Sequence, residues 1–283
     1  MSKTEKIYSL RNEALYQANS ITDALLRYEQ SLLNLGDSKS ILHAVRLAKY
    51  REEITNKKLL AKLRMYFNEI YRLINTNYKD NKFLIIGRTK SLISADDKII
   101  NLLSENMSLD LFRDTYGFRV HLFGNNSIEL ISKCYSIMND IMENFTKKGF
   151  TLCEADPPKD TNGFVSSKHP YVLVPKATGI SEDFLYGVKD YIFTPKENGY
   201  QSLHAVFRAN TGECFEIQVR TLDMHIYADT GEASHDKFKA KRTTCSFDRH
   251  RICLPDYKVT QDGKVYYYAG LEEAIEIYRR KSL

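Results

Sequence analysis

Two neighbouring stretches alternate apolar and polar residues with a period of two. In FEIQVRT, Phe215, Ile217 and Val219 fall on one face of a strand, and Glu216, Gln218 and Arg220 on the other. The preceding SLHAVFR alternates through Leu203, Ala205 and Phe207, and Ala209–Glu213, containing Asn210 and Gly212, closes a hairpin between them. One face of this hairpin requires a core. The other offers His204, Glu216, Gln218 and Arg220 to a common region, as the floor of a site would.

Elsewhere the period is that of helices. Residues 4–35 and 38–78 read as two long amphipathic helices, with Ile21, Ala24, Leu25, Tyr28, Leu32 and Leu35 at three and four residue spacing and Gly36-Asp37-Ser38 as the break. Phe83 to Ile86 predicts a short buried strand ending at Gly87, followed by a helix over GRTKSLISADDKIINLL. Phe112 to Phe123 predicts a strand in which strict alternation would place Asp114 and Arg119 on opposite faces. Either Asp114 precedes the regular pleat or a bulge near Gly117 re-aims one of the two. Ile128 to Phe145 predicts a helix that covers the sheet with Ile131, Cys134, Met138 and Ile141.

From Thr146 to Tyr186 the pattern dissolves: the segment holds four of the six prolines, and only Tyr171–Val174 suggests a strand. It reads as a substrate lid, a specificity element or a tolerated insertion. Leu222 to Lys241 predicts a helix carrying His225, Asp229 and Glu232; Thr243 to Leu283 supplies a strand-like VYYYAG and a helix, LEEAIEIYRRK, as a packing or oligomer element. The expected organisation is an α/β (α+β) domain at 81–242, with an N-terminal helical extension at 1–80 and a short C-terminal β/α element at 243–283.

Composition narrows this only slightly. A formal charge of +5 permits anionic substrates or RNA without demanding either. The five scattered cysteines contain no CxxC pair and suggest neither a disulfide framework nor a zinc site, so free thiols in a reducing cytoplasm are expected. No stretch approaches membrane-spanning length, and a soluble, cytoplasmic protein without membrane contact is expected.

The candidate chemistry lies around the hairpin. Lys90, Ser94 and Lys98 recur at i, i+4 and i+8 with Arg88 just before them, a plausible triphosphate cradle at a helix N-terminus; GxxxxGK[ST] is absent, so this is no Walker A loop. Asp114 and Glu216 amid Arg88, Lys90, Lys98, Arg119, Lys189 and Lys196 suit Mg²⁺ (with Mn²⁺ as the alternative) held against a polyphosphate. Glu216 could also accept a proton from an attacking hydroxyl. Tyr200, just after the Asn198-Gly199 turn, is a candidate base-stacking platform.

GRTK with Ser94 and Lys98, DTYGFR, VKDYIFTPKENGYQSLH, FEIQVRT and MHIYADTGEASH occur in the order and approximate register of the RelA/SpoT homologue synthetase domain, over about 83–240. The chain resembles a single-domain small alarmone synthetase or a toxic relative of one. The resemblance implies a nucleotidyltransferase-like mixed sheet flanked by helices. It also implies transfer of the β,γ-diphosphate of ATP to the 3′-hydroxyl of GDP or GTP, which makes (p)ppGpp, the stringent-response alarmone, and releases AMP. On that basis Arg88 and Arg119 would sandwich adenine, and Lys90, Ser94 and Lys98 would hold the ATP phosphates. Asp114 would bind Mg²⁺, and Glu216 would bind Mg²⁺ or activate the hydroxyl. Tyr200 would stack on the acceptor guanine, with Lys189, Lys196, Asn198 and His204 lining the acceptor and Gln218 and His225 completing the ATP side. Small members of the family often form tetramers.

Three departures matter. The first 80 residues are too short and too poor in His-Asp for the family's hydrolase domain; Leu42-His43-Ala44-Val45 faintly resembles a phosphohydrolase helix, yet His235-Asp236 lies far along the chain. The 146–186 connection is long, and Asp236 stands where long relatives commonly carry Trp. Two other readings stay open. One is a toxic relative that modifies the 3′-hydroxyl of tRNA or of an adenine nucleotide, with Lys49, Arg51, Lys57, Lys58, Lys62 and Arg64 as its RNA-docking surface. The other is a nucleotide- or RNA-binding module without turnover.

Overall fold

The computed structural model describes residues 2–124, 128–155, 179–196, 198–230, 258–261 and 264–267. Each of the two expected N-terminal helices is in fact a pair: α1 (Lys3–Gln17) and α2 (Ile21–Leu33), then α3 (Ser38–Thr55) and α4 (Lys57–Asn77). Side chains make the breaks. Ser20 accepts from Asp23 N, and Asn56 accepts from Lys58 N and Leu59 N, so each starts a new helix in the middle of a continuing apolar stripe. Periodicity alone does not show such a break, because the stripe continues across it.

The remaining elements are β1 (Phe83–Thr89), α5 (Leu92–Ser104), β2 (Tyr116–Leu122), α6 (Ile128–Lys147), β3 (Thr151–Leu152), β4 (Val188–Asp190), β5 (Leu203–Arg208), β6 (Cys214–Thr221) and α7 (Leu222–Thr230), with short 3₁₀ turns at Leu109–Leu111 and Glu182–Gly187. The β5–β6 hairpin and α6 lie where the sequence predicts them. β1 runs past Gly87 through Arg88, because Gly87 pairs with Phe118 and Arg88 with Gly117 in an unbroken antiparallel ladder. Asp114 lies before the pleat of β2. Near the C-terminus β7 (Lys258–Gln261) pairs with β8 (Lys264–Tyr267), which covers the start of the expected VYYYAG strand. The Tyr171–Val174 strand, the end of the helix expected to reach Lys241, and the LEEAIEIYRRK helix fall outside the described residues.

The main sheet runs β1-β2-β6-β5-β3, with β4 also on β5. β2 and β6 are parallel and every other neighbouring pair is antiparallel. One face is apolar: Phe118, Val120, Phe207, Phe215, Ile217 and Val219 pack beneath α4 and α6, with Phe67, Ile70, Met138, Ile141 and Phe145. Phe215 is the hub, its ring 5.0 Å from Tyr66 and 5.5 Å from both Phe118 and Phe145. A buried ring of this kind contributes roughly 1.5–3 kcal/mol by area, plus about 0.5–1.5 kcal/mol from aromatic pairing. A second core joins Leu25, Tyr28 and Leu32 of α2 and Leu47 and Tyr50 of α3 to Leu92, Ile93 and Ile99 of α5. The helices thus cover one face of the sheet and fix α5 beside it; the other face is polar across β2, β6, β5 and β4, with a small apolar cluster of Leu84, Ile86 and Leu222 at its β1 edge.

Candidate active site

Cross-strand register assembles the polar face in rows. Residues opposite each other in a ladder share a face. Arg119 of β2, Gln218 of β6, His204 of β5 and Lys189 of β4 therefore form one continuous row. Beside it run Arg88, Gly117 and Glu216, and on the other side His121 and Arg220. Gly117 leaves the bed on which Arg88 lies, its missing Cβ 3.7 Å from Arg88 Nε.

Glu216 is held through both oxygens. Gln218 Nε2 donates to Oε2 at 2.6 Å, and His204 Nδ1 lies 2.9 Å from Oε1. Burial pushes His204 below its ordinary value despite the pull of Glu216, so the ring is neutral at pH 7. A carboxylate only accepts, so Nδ1 carries the proton and Nε2 accepts from the Tyr200 hydroxyl at 2.9 Å. The result is a directed chain from Tyr200 through His204 to Glu216. Arg119 Nε donates to Gln218 Oε1 at 3.0 Å and extends the chain across the sheet. Burial opposes the charge on Glu216, yet the hydrogen bond donated by His204 and the cations Lys90 and Arg88 outweigh it and hold the carboxylate below its ordinary pKa.

Asp114 lies at the same end of the sheet. Lys90 Nζ donates to Oδ2 at 2.8 Å and Lys98 Nζ to Oδ1 at 2.9 Å. Burial would raise this carboxyl, but the two ammonium groups override both burial and the repulsion of Glu216 and bring it to about 2. The cradle differs from expectation in two respects. Lys90 is not on the helix: Ser91 is the N-cap of α5, and Lys90 N extends the β1–β2 ladder to Thr115 O at 2.7 Å. Ser94 and Lys98 are on α5, and Lys98 still meets Lys90 at Asp114. Arg88, expected at the start of the helix, belongs to β1.

The Tyr200 end is aromatic and cationic. Lys196 Nζ sits 4.6 Å from the Tyr191 ring and 5.0 Å from that of Tyr200, and Arg220 Cζ lies 5.6 Å from the latter. Burial lowers the pKa of Lys196 against the attraction of Glu216. Asn198 works in the turn, its Oδ1 accepting from Tyr200 N at 3.2 Å. His225 is buried, accepts at Nδ1 from Arg220 at 2.6 Å and stacks on His121 at 4.0 Å, so it joins the face through those two residues.

Sequence reasoning passed over His121, Tyr191 and Asp190. The alternation that singles out Glu216, Gln218 and Arg220 would, applied to β2, have selected His121 with Arg119. Asp190 is fully buried and shapes the turn before Lys196, its Oδ1 accepting from Ile192 N and Phe193 N and its Oδ2 from the Tyr135 hydroxyl. In the sequence it stands only as part of the VKDYIFTPKENGYQSLH motif, with no alternation to mark its role.

Two carboxylates at one strand end among cations thus lie on a mixed sheet flanked by helices. Residues 87–243 match the region found in RelA / SpoT proteins, and the chain belongs to that family. A probable chloroplastic GTP diphosphokinase of Oryza sativa subsp. japonica is 30% identical over 168 residues, 59% of this chain and 17% of that protein. A GTP pyrophosphokinase of Haemophilus influenzae is 46% identical over 54 residues, 19% of this chain and 7% of that protein. The chain thus spans a fifth or less of the curated relatives it matches. The crystal structure of small alarmone synthetase 1 from Bacillus subtilis is 20% identical, with 67% of this chain and 79% of that one covered and a TM-score of 0.38. Among the described residues no helix is long and apolar enough to cross a membrane.

Proposed function

We propose that the chain is a (p)ppGpp synthetase, transferring the β,γ-diphosphate of ATP to the 3′-hydroxyl of GDP or GTP and releasing AMP. The observation that carries this is the pairing of Asp114 with Lys90 and Lys98 beside the doubly held Glu216. The described residues contain no group of three or more His, Cys, Asp or Glu that would cage a metal unaided. Two carboxylates amid cations nonetheless fit Mg²⁺, which binds through one or two carboxylates and completes its shell with water and phosphate oxygens. Asp114 and Glu216 would hold it, and when bound it neutralises phosphate charge.

The chain's own residues do the positioning. Lys90 and Lys98 move their donated bonds from Asp114 to the incoming phosphates, Ser94 adds a hydroxyl, and Arg88 and Arg119 take the adenine side. Tyr200, Lys196 and Lys189 receive the acceptor, whose 3′-hydroxyl then faces Glu216. Against burial, the His204 hydrogen bond, Lys90 and Arg88 favour the ionised form of Glu216, which supports its role as a ligand.

A second reading has its own support. A cleft of about 730 Å³ flanks Asp114 through Arg113 and Thr115, and Arg46, Lys49, Lys58, Lys62 and Arg208 also line it. Lys49, Lys58 and Lys62 are among the residues considered for RNA. Glu52, Glu53, Asp110 and Glu213 also line the cleft, Glu53 pairing with Arg46 and Glu213 with Lys62, so its appeal to a polyanion such as the 3′ end of tRNA rests on Lys49, Lys58, Arg113 and Arg208. Incubation with γ-labelled ATP and, separately, GDP, GTP, AMP and deacylated tRNA decides between them. Label on GDP or GTP supports the synthetase, label on tRNA alone replaces it, and transfer to none leaves a nucleotide-binding module.

A further inference from the structure

Asp96 and Asp97 lie on α5 between Ser94 and Lys98, yet both are bound from the other side. Arg11 of α1 donates through Nη1 to Asp96 Oδ2 at 2.8 Å and to Asp97 Oδ1 at 3.0 Å. His43 of α3, the residue that faintly suggested a phosphohydrolase, lies with Nε2 2.7 Å from Asp96 Oδ1. Arg11, Asp96 and His43 are 2%, 0% and 1% exposed. The His-Asp pair is completed by a guanidinium, which a cation-binding site would exclude.

Burying an arginine with a carboxylate costs several kcal/mol in desolvation, and well-packed apolar side chains commonly match such a cluster in stability. What the ionic cluster adds is registry. Consecutive residues on a helix point about 100° apart, so one nitrogen bound to both Asp96 and Asp97 fixes the rotation of α5 about its axis as well as its height. The residue before the N-cap and the last turn of the helix are also tied to α3. The Tyr50 hydroxyl donates to Lys90 O at 2.6 Å, and Lys39 Nζ donates to Leu103 O at 2.9 Å. A rotation of α5 would carry Lys98 away from Asp114 and turn Ser94 with it.

We propose that Arg11, through Asp96, Asp97 and His43, is a positioning residue for the ATP-phosphate cradle, so that the seating of α1 sets the affinity for ATP without touching the acceptor side. This rests on the reading that α5 receives ATP phosphates. The test is calorimetric titration of the full chain with Mg²⁺ and a non-transferable ATP analogue, and separately with GDP, for wild type, Arg11→Lys and Asp97→Asn, with thermal melts alongside. Lysine keeps the charge but replaces the fixed planar donors of the guanidinium with a shorter, freely rotating ammonium, so it does not hold both carboxylates in one set geometry. Arg11→Lys should weaken analogue binding about tenfold, as ångström-scale misplacement does, and leave GDP binding within about twofold. Asp97→Asn, which keeps the buried Asp96 pair, should shift analogue binding the same way by about threefold. Should Arg11→Lys not melt cooperatively, Asp97→Asn carries the test alone. Unchanged analogue affinity in a folded variant, or equal losses for analogue and GDP, would overturn the inference. Failure of the wild type to bind the analogue would instead remove the synthetase reading, and this inference with it.

Discussion

Replacing Asp114 by asparagine keeps the shape of the side chain and removes its charge. In the folded protein the carboxyl falls from an ordinary 3.8 to about 2, because Lys90 and Lys98 outweigh burial. A depression of that size favours the ionised form by about 2 kcal/mol. The group is only 16% exposed, so solvent takes little of this away. Loss of its repulsion with Glu216 returns part of the cost, and leaving two ammonium groups side by side adds to it. The folded-state value is the lower one, so the stabilisation is complete above about pH 4 and disappears as the pH falls through about 2. Asp114→Asn should therefore lower the calorimetric melting temperature by about 4–8 °C at pH 7, and the difference should shrink in acid below about pH 4. Turnover at pH 7 should fall by at least about a hundredfold. A variant within about 1 °C of wild type at pH 7, or a difference that persists undiminished at pH 2, would refute the account of Asp114 as a charge held by two lysines.

Glu216→Gln should abolish turnover by roughly 10²–10³-fold while leaving ATP-analogue binding measurable, and normal turnover would remove Glu216 from the mechanism. Tyr200→Ala should raise KM for GDP far more than KM for ATP; equal effects on both would count against an acceptor-stacking role. Buried His204 and His121 both resist protonation, so the unfolded chain takes up protons that the folded one refuses as the pH falls from about 6.5. Stability should decline by up to about 1.4 kcal/mol per pH unit for each histidine, and urea titrations flat from pH 6.5 to 5 would contradict this. Gly199 has φ +76°, and an added Cβ would sit 2.8 Å from the Tyr227 ring. Gly199→Ala should therefore cost about 1–3 kcal/mol and perturb GDP binding through the adjacent Tyr200, as thermal melts and titration would show.

The hairpin and its two-faced chemistry were legible because alternation is a local property: Phe215, Ile217 and Val219 reveal their burial within a single strand. The cradle was legible as composition but not as geometry. Ser91 turns Lys90 out of the helix, and a capping serine looks the same in sequence whether the preceding residue belongs to a strand or a loop. Ser20 and Asn56 broke the two expected long helices for the same reason. The roles of Asp190 and of the Arg11 cluster were not legible, although Asp190 and His43 both stand in quoted stretches, since those roles depend on partners in distant elements, Tyr135 for the one and Asp96 for the other.

The single parallel pairing in the sheet bears on how the molecule comes into being. β2 and β6 start at the same end, which is why Asp114 and Glu216 need no loop to bring them together, but they join residues about a hundred positions apart in the chain. Such a contact is slow to close because the intervening chain must be ordered first. Refolding should accordingly show helical signal well before nucleotide binding returns. A chain emerging from synthesis could hold α1 to α6 and the Asp114 pairings, yet the two-carboxylate cluster could not form before β6 supplied Glu216.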